Sequence, residues 1–270
     1  AKEFAAKSKR AGGGEGIKLA PLIRKFHDNG IEYGFVSVDI DRTKRIATIT
    51  LKGTDQAPPS DVAAMVKLGA AFWPLQIARE LDDAILDLRN NEFEIGTLIF
   101  KSTGDAAKVL AYDAFLDANT AHWLVNEIRH YWKRVLKRVD VTSRTLVTVV
   151  EPGSCFSGTL AEFVFAADRS YMLIGALEGD NRPPATITLN AVNFGAYPMS
   201  HGLTRLQTRF IGEPETLAKV DSKKGEELDA DAAEKLGLVT FALDDIDWAD
   251  ELRVFLEERT SFSPDALTGM

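Results

Sequence analysis

The chain has 270 residues, 45% of them hydrophobic and 27% charged, which is the composition of a globular protein with a sizeable core. A net charge of −8 argues against the basic footprint of a nucleic-acid binder, and no run approaches the roughly 20 apolar residues that span a bilayer. One cysteine, Cys155, rules out an internal disulfide and suits a reducing cytoplasm.

Residues 1–10 lack the apolar core of a secretory signal. Residues 3–10 look like the last turns of a helix, and Gly12-Gly13-Gly14-Glu15-Gly16 follows as a flexible run. No Lys-Ser/Thr follows those glycines, so they do not make a phosphate loop. We expect residues 1–30 to be a helix tail and linker from a preceding domain, and residues 31–270 to form one domain. Alternation of apolar and polar residues over 33–39 and 45–52, with a turn at Asp41-Arg42-Thr43-Lys44, predicts a half-buried hairpin. An amphipathic stretch over 61–89 is interrupted by Pro74, which predicts a kink or two helices.

A buried strand is expected at 97–100, then a loop containing Gly104, then a helical region over 113–137. Its basic run Lys133-Arg134-Val135-Leu136-Lys137-Arg138 reads as a solvated helix face, and could also meet the phosphates of a nucleotide handle. Residues 141–150 form another apolar strand, ended by Glu151-Pro152-Gly153. A helix at 159–167 and a strand at 170–174 follow. From residue 230 the chain is helical and acidic, with Asp244-Asp245-Ile246-Asp247 as a turn. Strands alternating with helices predict a largely parallel sheet covered on both faces.

Two segments carry chemistry. Ser154-Cys155-Phe156-Ser157-Gly158-Thr159-Leu160-Ala161-Glu162 joins a buried strand to a helix, where unpaired backbone N–H groups and the helix dipole can stabilise a developing oxyanion. The alternative is a plain helix start in which Thr159 caps and Glu162 completes a capping box. The segment contains no Gly-x-Ser-x-Gly elbow. Cys155 could pair with His201, although a lone cysteine beside a strand is usually core. His122 and His130 are too far apart on one helix for a metal pair. The second segment, residues 193–206, reads by itself as an ordered turn before a short helix.

Together the two segments resemble the crotonase (enoyl-CoA hydratase/isomerase) superfamily. Glu162 and Asp168 keep its Glu-x-x-x-x-x-Asp spacing after a glycine-rich turn, and Gly195, Pro198, Gly202, Arg205 and Leu206 match its second signature. The resemblance implies an α/β crotonase-like (ClpP/crotonase) β-β-α spiral with C-terminal helices. It also implies Glu162 as the acid/base, and an oxyanion hole made by the N–H groups of Leu110 and Thr159. Longer words at 139–144, 151–156, 167–173 and 263–270 are similar to the second half of the double-length benzoyl-CoA-dihydrodiol lyase family.

That similarity implies ring opening of an oxygenated benzoyl-CoA, dihydrodiol or epoxide, to a semialdehyde-CoA and formate. The implied partners are an acyl-CoA substrate, a preceding crotonase-like half of the same protein and further copies of it. No metal or redox cofactor is implied, because coenzyme A is part of the substrate. Two departures matter: Thr159 and Leu160 replace glycines in the turn, and Ala191 stands where many hydratases carry a second carboxylate. An enoyl-CoA hydratase/isomerase and a non-catalytic dimerisation domain are the alternative readings.

Overall fold

The computed structural model describes residues 2–7 and 16–269; the first four residues of the glycine run lie outside that set. A short helix, α1 (Lys2–Ala6), stands at the start. The sheet begins with β1 (Lys25–His27) and β2 (Gly30–Glu32), an antiparallel pair. The expected hairpin follows as β3 (Val36–Asp41) and β4 (Ile46–Lys52), in register from Val36↔Leu51 to Asp41↔Ile46.

The stretch over 61–89 is two helices, but Pro74 is not the cause. α2 (Val62–Leu68) ends at Gly69, whose φ of 55° lies in a region where glycine is at ease. α3 (Trp73–Asn91) then starts with Pro74 in its first turn, where a missing N–H costs no hydrogen bond. The single helical region over 113–137 is likewise two helices. After β5 (Thr97–Thr103), the Asp105 carboxylate accepts the Ala107 N–H and starts α4 (Ala106–Ala118) earlier than expected. α5 (Trp123–Asp140) has its own cap, His122 Nδ1, which accepts the Leu124 N–H. Its basic run is split by buried Val135 and Leu136, while Arg134 and Arg138 lie within ion-pair distance of Asp82. The Arg138 contact is not aligned as a hydrogen bond.

β6 (Thr145–Val150) is buried at every residue, as a strand covered on both faces must be. A 3-10 turn, Gly158–Ala161, leads into α6 (Glu162–Ala166), and β7 (Arg169–Leu173) follows. β8 (Ile187–Thr188), α7 (Arg205–Arg209), α8 (Pro214–Asp221), β9 (Glu227–Leu228) and α9 (Ala230–Lys235) come next, β8 pairing with β9. The last part is not all helical. β10 (Phe241–Leu243) joins the sheet beside β7 before α10 (Asp245–Thr260) and α11 (Pro264–Gly269). Asp244 is the N-cap of α10 rather than part of a free turn, accepting the N–H groups of Ile246 and Asp247.

The eight-stranded sheet runs β1-β2-β3-β4-β5-β6-β7-β10, antiparallel up to β4 and parallel from there. One face carries the main core, including Phe100, Trp132, Leu81 and Phe163. The other face, Ile46, Ile99, Val147, Val149, Tyr171 and Leu173, is covered by Trp248 and by half-buried Leu252, Phe255 and Leu256 of α10. Among the described residues no helix is long and apolar enough to cross a membrane.

Candidate functional site

Parallel sheets of this kind place chemistry beyond the carboxyl ends of their strands. The chain leaving β6 there passes Cys155 and Ser157 to Gly158, which takes a φ of 48°. A Cβ on Gly158 would lie 1.9 Å from Asp113 Oδ2 and 2.6 Å from Asn190 Nδ2. Only glycine fits. We expect Gly158→Ala to cost at least about 2 kcal/mol, from the strained backbone and the displaced carboxylate together. Denaturant titration would check this, and a variant as stable as the parent would show that Asp113 can move aside.

The reason for the crowding is a buried carboxylate. Asp113, on the inward face of α4, accepts the Thr159 N–H at 2.8 Å and the Asn190 side-chain amide at 2.9 Å with Oδ2. Its Oδ1 accepts the Thr159 hydroxyl at 2.5 Å. That hydroxyl has spent its proton, so the Tyr197 phenol at 3.2 Å is the donor to it. Burial raises the Asp113 carboxyl to about 6, and the bonds from Thr159 and Asn190 hold it from rising further.

A second polar cluster adjoins the first. Asn193 donates to the Gly158 carbonyl at 2.9 Å and to Glu162 Oε1 at 2.7 Å. Arg205 donates to Glu162 Oε2 at 2.8 Å through Nη1, and grips both oxygens of Asp140 with Nε and Nη2 at 2.9 and 2.7 Å. The Arg205 and Glu162 side chains are each only 1% exposed. Burial pushes the Glu162 and Asp140 carboxyls upward, and the shared guanidinium pulls both back.

The expected site residues therefore stand as follows. Thr159 and Glu162 do adjoin one another, but no capping box forms: the Thr159 hydroxyl goes to Asp113 and the Glu162 carboxylate to Asn193 and Arg205. The Thr159 N–H, expected as an oxyanion donor, is already bonded to Asp113. Leu110 is not on a loop. It lies inside α4, where the helical ladder takes up its amide. The Thr159 N–H is thus bonded within the chain and the Leu110 N–H lies inside a helix, and Leu160 is fully buried.

Asp168 stands apart from Glu162, exposed at the start of β7, where its carboxylate takes the Leu146 N–H at 2.8 Å and fixes the β6–β7 register. Cys155 is fully buried, with its thiol pushed up to about 11 by burial, and no bond joins it to the exposed His201. Ala191 is exposed at the start of a short 3-10 turn.

Sequence reasoning missed Asp113 as a site residue. Its signal was present: Val109 and Leu116 share its inward helix face, and a carboxylate there needs partners. Its partners Asn190 and Tyr197 come from distant segments and carried no signal of their own.

No family model matches the chain. It is 45% identical, over all 270 residues, to the benzoyl-CoA-dihydrodiol lyase of Aromatoleum evansii, and spans 48% of that protein, about half its length. Solved structures with the same fold include an enoyl-CoA hydratase from Bacillus halodurans (TM-score 0.60, 14% identity, 87% of this chain and 84% of that one). Another is an enoyl-CoA hydratase/isomerase from Xanthobacter autotrophicus (TM-score 0.59, 13% identity, 88% and 77%).

Proposed function

Because the chain has the crotonase fold and is a full-length relative of one half of a benzoyl-CoA-dihydrodiol lyase, we propose that it serves as the scaffold half of such a lyase. On this reading the whole protein opens an oxygenated benzoyl-CoA ring by carbon–carbon cleavage, yielding a semialdehyde-CoA and formate. The acyl-CoA is held by the crotonase-like half that accompanies this one.

One observation carries the scaffold role. The Asp113 carboxylate occupies the donors of Thr159 at the turn where an acyl-CoA oxyanion would need them. A thioester oxygen entering there would have to displace a buried anion and leave it without donors, an uncompensated cost of several kcal/mol. The rest of the polar set is committed to itself in the same way, Glu162 to Arg205 and Asn193. A hydratase reading lacks support at its second carboxylate, since the candidate position is the exposed methyl group of Ala191.

The test uses the full-length protein. Calorimetric titration with an unreactive benzoyl-CoA analogue is expected to give one site per polypeptide, and Glu162→Gln to keep its turnover. Two acyl-CoA sites would count against the scaffold role. So would a fall in turnover by about 100-fold or more in folded Glu162→Gln, the scale for losing a general acid or base.

A further inference from the structure

The N-terminal ends of β6 and β7 hold a second feature, which meets the polar cluster above at Asp140. A cleft of about 370 Å³ lies between the β6 and β7 starts and the helices α10 and α11. Arg144, Arg169 and Arg259 line it, with Thr142, Ser143 and the apolar Phe255 and Leu267. Its walls are drawn from the chain entering β6, the start of β7 and Leu267 of α11, and it shares Asp140 with the Arg205 cluster.

The three arginines have no ion-pair partner among the described residues. Arg144 is half-buried, with Nε on the Ile95 carbonyl at 2.7 Å and Nη2 on the Leu88 and Glu92 carbonyls at 3.1 and 3.2 Å. Burial and the nearby Arg89 both lower its pKa, the mark of a cation without a counter-charge. Arg259 is oriented by Nε on the Thr145 hydroxyl at 2.9 Å and by the Phe262 ring. Among the described residues the Arg169 side chain bonds the neighbouring Asp168 carbonyl alone, at 2.9 Å through Nη1.

Two carboxylates are also on the wall, and they leave positive charge in excess. Both oxygens of Asp140 are held by Arg205, and Asp168 gives Oδ2 to the Leu146 N–H. Thr142 adds an independent sign: its hydroxyl is buried and, among the described residues, has no hydrogen-bond partner. Three guanidinium groups with spare N–H donors on the walls of one cleft are a set waiting for an acceptor.

We propose that this cleft binds a phosphate dianion, free or as the terminal group of a phosphate ester. Guanidinium forks match the paired oxygens of phosphate, and a dianion offsets more of this charge than a single carboxylate does. The Ser143 hydroxyl donates to a remaining oxygen, and the Phe255 and Leu267 side chains receive the organic part of an ester. This inference is independent of the scaffold role.

The experiment titrates the full-length protein, at fixed ionic strength in chloride, with inorganic phosphate and separately with a nucleoside 3′-monophosphate. Binding is followed by calorimetry and by phosphorus NMR. Saturable binding is expected, with one site weakened at least about tenfold in Arg169→Gln and in Arg259→Gln. Tighter binding of the nucleotide assigns the ester as ligand, and equal affinity assigns the free ion. Absence of saturable binding, or the same affinity and stoichiometry in the parent and both variants, overturns the proposal. If Arg259→Gln does not fold, Arg169→Gln decides alone, because its exposed side chain makes a single bond to a neighbouring carbonyl.

Discussion

Replacing Arg205 with methionine is expected to destabilise this domain by about 3–5 kcal/mol, the scale for stranding buried charges by removing their partner. Two carboxylates would be stranded rather than one. Arg205 holds Glu162 through Nη1 and Asp140 through Nε and Nη2, and all three side chains are nearly inaccessible to solvent. Methionine fills similar space without charge, so the loss reads as electrostatics rather than a cavity. For a domain of this size, the melting transition should fall by on the order of 10 °C.

Arg205→Lys should recover only part of the loss, because a point charge on a flexible stem cannot bridge two carboxylates as the planar guanidinium does. Lowering the pH should narrow the deficit of the methionine variant, since Glu162 and Asp140 are then free to become neutral. Scanning calorimetry of parent and variants at two pH values measures all of this. A methionine variant that melts within about 2 °C of the parent would mean that the triad contributes nothing net, as some buried ion clusters do.

The second large effect concerns Asp113. Its carboxyl titrates near 6 in the folded protein and near 3.8 in the open chain, because burial penalises the charged form. A raised acid pKa means that the folded state holds the proton over a range where the unfolded state has lost it. The contribution of Asp113 is therefore most favourable below about pH 4. It declines as pH rises towards 6 and stays reduced above that. A displacement of this size corresponds to roughly 3 kcal/mol.

Asp113→Asn removes the titration while keeping the shape of the side chain. The difference in unfolding free energy between parent and variant should thus change by about 2.5 kcal/mol between pH 4 and pH 8, with the parent gaining relative to the variant on acidification. Denaturant unfolding at a series of pH values gives this difference curve directly. A flat curve would mean that the Thr159 and Asn190 bonds offset burial completely. Asp113→Ala is a different experiment, since it strands the Thr159 N–H, the Thr159 hydroxyl and the Asn190 amide at once, and a loss is expected at every pH.

The candidate site shows where reading the sequence works and where it stops. The turn at Gly158, the carboxylate at Glu162 and the Arg205-Leu206 pair are visible as residue types at fixed spacings, and each is part of a buried polar cluster. Their expected roles depended on what faces them. Thr159 has an N–H and Glu162 has a carboxylate in any fold. Whether those groups are open to a ligand or bonded to the protein depends on Asp113, 46 residues before Thr159, and on Arg205, 43 residues after Glu162.

Local pattern misled where two short-range signals compete. Pro74 reads as a helix breaker, yet at the first turn of α3 its missing N–H has no bond to lose, and Gly69 makes the break instead. Leu110 falls at the position of an oxyanion loop by analogy, but the Asp105 cap nucleates a helix straight after β5 and draws it in. The strand at Phe241–Leu243 is too short to show periodicity, and its identity comes from pairing with β7.

Taken by itself, the amino-acid order determined most element types up to β7, a largely parallel sheet with buried central strands and the likeness to the crotonase fold. Those follow from side-chain periodicity and from turn chemistry, which act over a few residues. Only the tertiary structure decided that a carboxylate from α4 fills the turn before α6, and that three arginines without an ion-pair partner among the described residues share one cleft. Contacts of that kind join residues far apart in the chain, and a buried charge is free or committed according to neighbours that no local pattern specifies.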